Sequence, residues 1–188
     1  NMGHNGIWHK GNGIWALTTK RPDAQNISGK YRPNVYDHSL RVPALVRWPG
    51  KIRPGTVIPA TVSNLDWYPT ILAMAGASLP SGATVRGRDC GPLLRGEKIA
   101  DWNNDFYAEY SMRVYCRTDI RAYRTPGWKL VRDFTNPELD ELYDLATDPE
   151  ETTNLIRDPR PTARAAIRSL DEKILTEMRR HADPLLTR

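Results

Sequence analysis

A single apolar stripe near the end of the chain constrains the fold more than any other feature. Between Pro161 and His181, apolar residues recur at spacings of three and four. Positions three and four apart share one face of an α-helix, so the pattern predicts a helix with one apolar side. Burying each such side chain contributes roughly 1.5–3 kcal/mol, so this helix needs an apolar surface to cover. The stripe consists of Ala163, Ile167, Leu170, Ile174 and Met178.

The residues before this helix follow a different period. Short runs rich in alternating, aromatic and β-branched residues predict four strands. Pro126-Gly127 is a favourable turn between the second and the third. We expect a small antiparallel sheet, one face of which is covered by the helix. The predicted strands are Phe106–Tyr110, Ile120–Thr125, Trp128–Phe134 and Glu141–Leu145.

Two further elements are predicted earlier in the chain. The apolar run Pro43–Gly50 is bounded by prolines and indicates a buried strand. The stretch Ser63–Gly76 indicates a helix that Asn64 or Asp66 caps and that Gly76 ends in the left-handed conformation. We expect this helix to be well buried, because it has a broad apolar face of Leu65, Tyr68, Ile71, Leu72 and Ala75.

Composition excludes several classes of protein. No run of about 18 apolar residues occurs, so no transmembrane helix is expected. The two cysteines, Cys90 and Cys116, are too few for a disulfide-rich scaffold or a four-cysteine zinc site. The 27 basic and 22 acidic residues give a net charge of +5, which weakly favours an anionic partner. Nucleic-acid binding is disfavoured because the basic residues are spread out; Arg113–Arg124 keeps it as an alternative.

The first residues carry the only concentrated chemistry. His4, His9 and Lys10 lie among glycines, which allow the backbone to approach a ligand closely. An ammonium and two imidazoles suit an anionic oxyacid, and a solvated glycine-rich loop is the alternative interpretation. The chain starts with Asn1 and reads there like the middle of a loop, so we expect a fragment of a longer protein.

The order of the segments resembles a known family. A Gly-His-x-Gly-x-x-x-Lys-Gly loop is followed by Tyr-Asp-x-x-x-Arg-Val-Pro-Ala-Leu and Trp-Pro-Gly. Asn64–Leu72, Arg124–Leu130 and the closing stretch Glu141–Leu155 come next, and the last is the most specific. Together they resemble the C-terminal part of a type I, formylglycine-dependent sulfatase of the alkaline-phosphatase-like superfamily.

The resemblance implies an α/β fold. Residues 1–98 would form the C-terminal portion of the large sulfatase domain. Residues 99–188 would form a small α+β subdomain, an antiparallel sheet with a packed C-terminal helix. The complete enzyme would hydrolyse a sulfate ester of a sulfated small molecule or glycan, and the chain's partner would be the missing N-terminal catalytic half. No compartment is implied.

The resemblance also implies site residues. Lys10 matches the lysine that contacts the sulfate and bridging oxygens and is the catalytic candidate; His4 and His9 are substrate-binding candidates. Neither cysteine lies in the Cys/Ser-x-Pro/Ala-x-Arg motif that yields formylglycine, and this chain supplies no ligand for the family's calcium ion. Asp37 and Arg41 are expected to brace the loop rather than react.

Three alternatives or additions stay open. Arg113, Arg117 and Arg121 are further substrate-contact candidates. A hydrolase of the same superfamily that acts on phosphodiesters or phosphonate monoesters would share these motifs. A non-catalytic module that binds anions or glycans through the Lys10 region is the alternative from another class.

Overall fold

A computed structural model describes residues 34–113 and 117–187. They form two compact units: a sheet unit of residues 34–43 and 107–187, and a helical unit of residues 44–106. The division at residue 98 stays a prediction for the whole protein. In chain order the helices and strands are α1 (Asp37–Leu40), α2 (Trp67–Met74), α3 (Gly91–Leu94), β1 (Phe106–Met112), β2 (Thr118–Arg124), β3 (Trp128–Asp133), β4 (Glu141–Asp144) and α4 (Pro161–Arg180).

The four strands form one sheet in the order β1-β2-β3-β4. Strands β2 and β3 pair antiparallel, with Arg124 opposite Lys129 on either side of the predicted Pro126-Gly127 turn. Strands β3 and β4 are also antiparallel, with Leu130 opposite Leu142. The predicted sheet and its hairpin are thereby confirmed, and each strand lies within about two residues of its predicted bounds.

Helix α4 covers one face of this sheet, as its apolar stripe predicts. Its core positions are buried, and they pack with Tyr123, Leu130 and Leu142 of the strands. Pro161 occupies the first turn, where its missing N–H costs nothing. Just before the helix, the Asp158 side chain accepts the Arg160 N–H. The buried stripe is Ala163, Ala166, Leu170, Ile174 and Met178, with Ile167 partly buried beside it.

The opposite face of the sheet is covered by the segment that contains Val35 and Leu40, about eighty residues before β2 in the chain. Val35 packs there against Ile120, Ala122 and Val131. Because both faces are covered, β2 is buried at every position from Thr118 to Tyr123. This second cover has no periodic signal in the sequence.

The helical unit is organised by α2 and α3. A 3₁₀ turn, Asn64–Asp66, leads into α2. The predicted cap, Asn64 or Asp66, is wrong: the cap is Ser63, whose side chain forms a reciprocal capping box with Asp66. Gly76 has φ +69°, which confirms the predicted left-handed ending. The Cys90 N–H donates to the Thr70 hydroxyl. None of the helices in the described parts of the chain is long and apolar enough to span a bilayer.

Two further expectations for this unit are wrong. Residues 43–48 form no strand and are exposed apart from half-buried Trp48, because no strand pairs with them within residues 34–113 and 117–187. The predicted apolar face of α2 is not buried either: Leu65, Tyr68 and Ile71 are exposed. Periodicity identified the helix, but it could not show which surface of this unit the helix packs against.

Candidate functional site

The predicted catalytic and substrate-binding residues, Lys10, His4 and His9, lie outside the described residues, and so does Cys116. Their roles stay predictions. Of the residues singled out in the sequence, Asp37 and Arg41 are the described ones that follow that loop most closely in the chain. Asp37 is buried in the sheet unit, whereas Arg41 is exposed.

A buried ion cluster surrounds Asp37; we use this name for Asp37, Arg124, Lys129 and Glu151. The Lys129 side chain is only 1% exposed. Its Nζ donates to the Val35 carbonyl at 2.9 Å, to Asp37 Oδ1 at 2.7 Å and to Glu151 Oε1 at 2.6 Å. An ammonium has three donors, so every one of them is used inside the protein.

The second cation of the cluster comes from the end of β2. Arg124 Nε donates to both carboxylate oxygens of Asp37, at 2.9 and 3.1 Å. Burial raises the pKa of the Asp37 carboxyl, but the Lys129 ammonium and the Arg124 guanidinium together hold that pKa below its ordinary value of 3.8. Asp37 is therefore ionised at neutral pH. That Asp37 and Arg41 brace the preceding loop stays a prediction, because the loop lies outside the described residues.

Glu151 enters the cluster from a turn. Its backbone has φ 56°, a left-handed conformation that few residues other than glycine adopt. The Asp148 side chain accepts the N–H groups of Thr152 and Thr153, which fixes the turn. The Glu151 carboxylate then accepts the Asp37 N–H as well as the Lys129 ammonium. The strained position is thus held by hydrogen bonds on both sides.

This cluster joins three motifs that are far apart in the sequence. Its groups come from the motifs that contain Tyr36-Asp37, Trp128-Lys129 and Glu150-Glu151. Beside it, the rings of Tyr36 and Tyr143 pack edge to face with centroids 6.0 Å apart. Both carboxylates and both cations of the cluster are paired, so the cluster ties these segments of the sheet unit together. Sequence reasoning missed Lys129 and Glu151. The available signal was a lysine within the apolar strand run Trp128–Val131.

The three predicted substrate-contact arginines have different environments. Arg121 is buried and bonded to Asp183 through Nε and Nη2, so its prediction as a substrate contact is wrong. Arg113 Nη2 donates to both oxygens of Asp119, at 2.6 and 2.7 Å, although its side chain is partly exposed. Arg117 is exposed, and its role stays a prediction.

The helical unit carries an open groove of about 680 Å³. Arg53, Lys98 and Trp102 line it. The indole N–H of Trp102 donates to the Thr61 carbonyl, so this aromatic residue is fixed within the unit. The acidic Glu97 also lines the groove, so its lining carries charges of both signs.

Cys90 is a buried free thiol beside α3. Burial raises the pKa of this thiol, so it stays protonated at neutral pH. Residues 34–113 and 117–187 contain no group of three His, Cys, Asp or Glu side chains that could hold a metal ion. No described residue is therefore assigned to a metal.

The comparisons with known proteins decide the family. The profile of the family "N-sulphoglucosamine sulphohydrolase, C-terminal" matches residues 31–181. The chain belongs to this family. Steryl-sulfatase of Rattus norvegicus is 29% identical over 195 residues, which cover 90% of this chain and 32% of that protein. The chain thus spans about a third of the length of this relative.

Two solved structures support the sulfatase-like fold. A protein solved in complex with its substrate D-glucosamine-2-N,6-O-disulfate superposes with a TM-score of 0.63 at 26% identity, covering 73% of this chain and 28% of that one. A phosphonate monoester hydrolase from Silicibacter pomeroyi superposes with a TM-score of 0.59 at 26% identity, covering 74% of this chain and 29% of that one. The fold expected from the resemblance, the C-terminal part of an alkaline-phosphatase-like enzyme, is confirmed. The sulfatase relatives imply a metal cofactor for the whole protein.

Proposed function

We propose that this chain is the C-terminal portion of a sulfatase that hydrolyses sulfate esters. The observation that carries the proposal is the sulphohydrolase family profile, which matches from residue 31, before the buried ion cluster, to residue 181, just after the end of α4. The match therefore includes the packed core of the sheet unit as well as isolated motifs. The similarity to steryl-sulfatase supports the same reaction class.

Lys10 is the chain's proposed contribution to chemistry. An ammonium beside the bridging oxygen stabilises the negative charge that develops there as the ester bond breaks. His4 and His9 would bind the sulfate group from the same loop. A formylglycine nucleophile and a divalent cation, calcium, would come from the part of the protein outside this chain and would supply attack on sulfur and charge neutralisation.

The proposed substrate is a sulfated carbohydrate. The structural neighbour in complex with a disulfated glucosamine supports this class, and the net charge of +5 agrees with an anionic substrate. The similarity to a phosphonate monoester hydrolase supports a second candidate, hydrolysis of phosphonate monoesters or phosphodiesters by the same fold. A non-catalytic module that binds sulfated glycans is the third.

A substrate panel on the full-length protein separates these candidates. We expect release of inorganic sulfate from 4-nitrophenyl sulfate or glucosamine N- and O-sulfates, and slower cleavage of phenylphosphonate monoesters. Faster cleavage of the phosphonates would favour the second candidate. Binding of sulfated glucosamine without turnover would favour the third.

A matched pair of variants tests Lys10. Lys10→Ala should lower kcat for the sulfate ester by about 100-fold or more, the usual effect of removing one charge-stabilising donor. Lys51→Ala removes an exposed lysine of the helical unit and should leave kcat near that of the wild type. Equal kcat values for the two variants would show that Lys10 does not act in the catalytic site.

A further inference from the structure

The first half of helix α4 carries a row of exposed arginines. Arg160 immediately precedes the helix, and its carbonyl accepts the Arg164 N–H, which places these two residues one turn apart. Arg168 follows after one more turn, and all three residues are exposed. Residues four apart are neighbours on a helix surface, so the three guanidinium groups line one side of α4. We call Arg160, Arg164 and Arg168 the basic ridge.

Most of the charge on the basic ridge is not neutralised by the sheet unit. Arg160 pairs with Asp158 at 2.7 Å, but its side chain stays 64% exposed. The side chains of Arg164 and Arg168 make no hydrogen bond or ion pair with any residue in the described parts of the chain. No Asp or Glu occurs from position 159 to position 170. The ridge therefore presents two uncompensated cations to a partner.

This order of charges is unfavourable for the helix itself. Cations near a helix N-terminus oppose the macrodipole, and like charges four residues apart repel each other. The first turn of α4 contains no acidic residue that would offset these effects. At the other end of the helix, Arg179 and Arg180 follow the favourable order. Helix stability thus explains the arginines of the last turn but not those of the ridge, whereas a bound anion would relieve both unfavourable effects.

The surroundings of the ridge favour an extended polar chain as the anion. Thr162, Ala165 and Ser169 are exposed and small, so they leave the guanidinium groups accessible along the helix. The apolar side of α4 is buried against the sheet and cannot enter a lipid bilayer, as the apolar side of a membrane-bound helix does. The helix contains no aromatic residue on which a nucleic-acid base could stack.

We propose that the basic ridge binds the sulfate groups of a polymeric sulfated glycan. This inference rests on the proposed function, because it takes sulfated carbohydrate as the substrate class and adds that the substrate is a chain long enough to reach α4. A guanidinium presents a fork of N–H donors that suits the oxygens of an oxyanion. Successive groups of the ridge are spaced by about 6 Å along the helix, so one chain lying along α4 meets more than one of them.

Heparin binding by the full-length protein tests the inference with two matched double variants. Arg164→Gln with Arg168→Gln removes the two unpaired charges of the ridge. Arg179→Gln with Arg180→Gln removes two exposed charges from the other end of the same helix. The ridge variant should raise the Kd for a heparin oligosaccharide by about tenfold or more, with a shallower dependence on salt because fewer counterions are released. The control should change Kd by less than about threefold, the effect of net charge alone.

Folding and turnover are measured on the same variants. The midpoint of urea unfolding of the ridge variant should be no lower than that of the wild type, because the change removes like-charge repulsion. Where the wild type turns over 4-nitrophenyl sulfate, the ridge variant should do so at the same rate, since this small ester cannot span the ridge.

Three results would overturn the proposal. The first is an equal loss of heparin affinity in both double variants, the second is unchanged affinity in the ridge variant, and the third is tighter binding of duplex DNA or phosphatidylserine vesicles than of heparin at the same salt concentration. Heparin binding does not depend on turnover. An inactive protein that binds heparin through the ridge would therefore refute the sulfatase function alone, and an active sulfatase with unchanged affinity in the ridge variant would refute the ridge alone.

Discussion

Replacing Lys129 by Met tests the buried ion cluster. The change keeps the length of the side chain but removes an ammonium that is 1% exposed and donates to the Val35 carbonyl, Asp37 and Glu151. Asp37 keeps Arg124 as a partner, whereas Glu151 loses the ammonium and stays buried. Breaking a buried ion pair by removing one partner costs about 3–5 kcal/mol, and we expect a loss of unfolding free energy in this range at pH 7.

The pH dependence of this loss gives a second check. A carboxyl whose folded pKa is lowered, as that of Asp37 is, contributes stability that is complete above its ordinary pKa of 3.8 and is lost as the pH falls through the folded value. In the variant the part of this stabilisation supplied by Lys129 is already absent. The difference between wild type and variant should therefore shrink as the pH is lowered below about 3.8.

Urea unfolding followed by tryptophan fluorescence measures both quantities. Lys51→Met removes an exposed lysine and should change the unfolding free energy by less than about 0.5 kcal/mol. A loss below about 1 kcal/mol for Lys129→Met at pH 7 would show that the cluster is not an integral part of the fold, because so small an effect is typical of exposed pairs. A difference that grows in acid would contradict the assigned charges.

Three further substitutions test the packing by the same unfolding measurement. Ile174→Ala should cost about 2–5 kcal/mol because Ile174 is fully buried under the sheet, and a cost below about 1 would contradict that burial. Gly87→Ala should cost about 1–3 kcal/mol, since a Cβ there would lie 1.9 Å from the Leu65 carbonyl oxygen. Gly127→Ala is the control, because a Cβ at that position has no atom within 4 Å; equal losses of unfolding free energy for the two variants would refute the contact. Ser63→Ala should cost about 1 kcal/mol through loss of the helix cap, and no change would contradict the capping box.

Local patterns predicted the elements of the sheet unit well. The three- and four-residue spacing from Ala163 to Met178 predicted α4 and its buried side, and the turn dipeptide Pro126-Gly127 predicted the β2–β3 hairpin. These features are encoded by neighbours in the sequence, which is why periodicity and turn chemistry suffice. Recognition of the closing motif around Glu151 identified the family, but the motif's physical role became visible only in the fold.

Long-range contacts escaped prediction. The second cover of the sheet brings Val35 and Asp37 to strands that begin more than seventy residues later in the chain, and no local signal encodes such pairing. For α2, the apolar pattern predicted burial, but Ile71 is exposed in the described part of the chain. A hydrophobic pattern shows that a surface requires a partner without showing which one.

The release of inorganic sulfate from a sulfate ester decides whether this chain is part of a sulfatase. The full-length protein and the 188-residue chain are assayed side by side at equal concentration, with sulfate measured by ion chromatography. We expect turnover by the full-length protein and none by the chain alone, because neither cysteine of the chain lies in a formylglycine motif. Turnover by the 188-residue chain, or its absence from the full-length protein on aryl and sugar sulfates alike, would refute the proposed function.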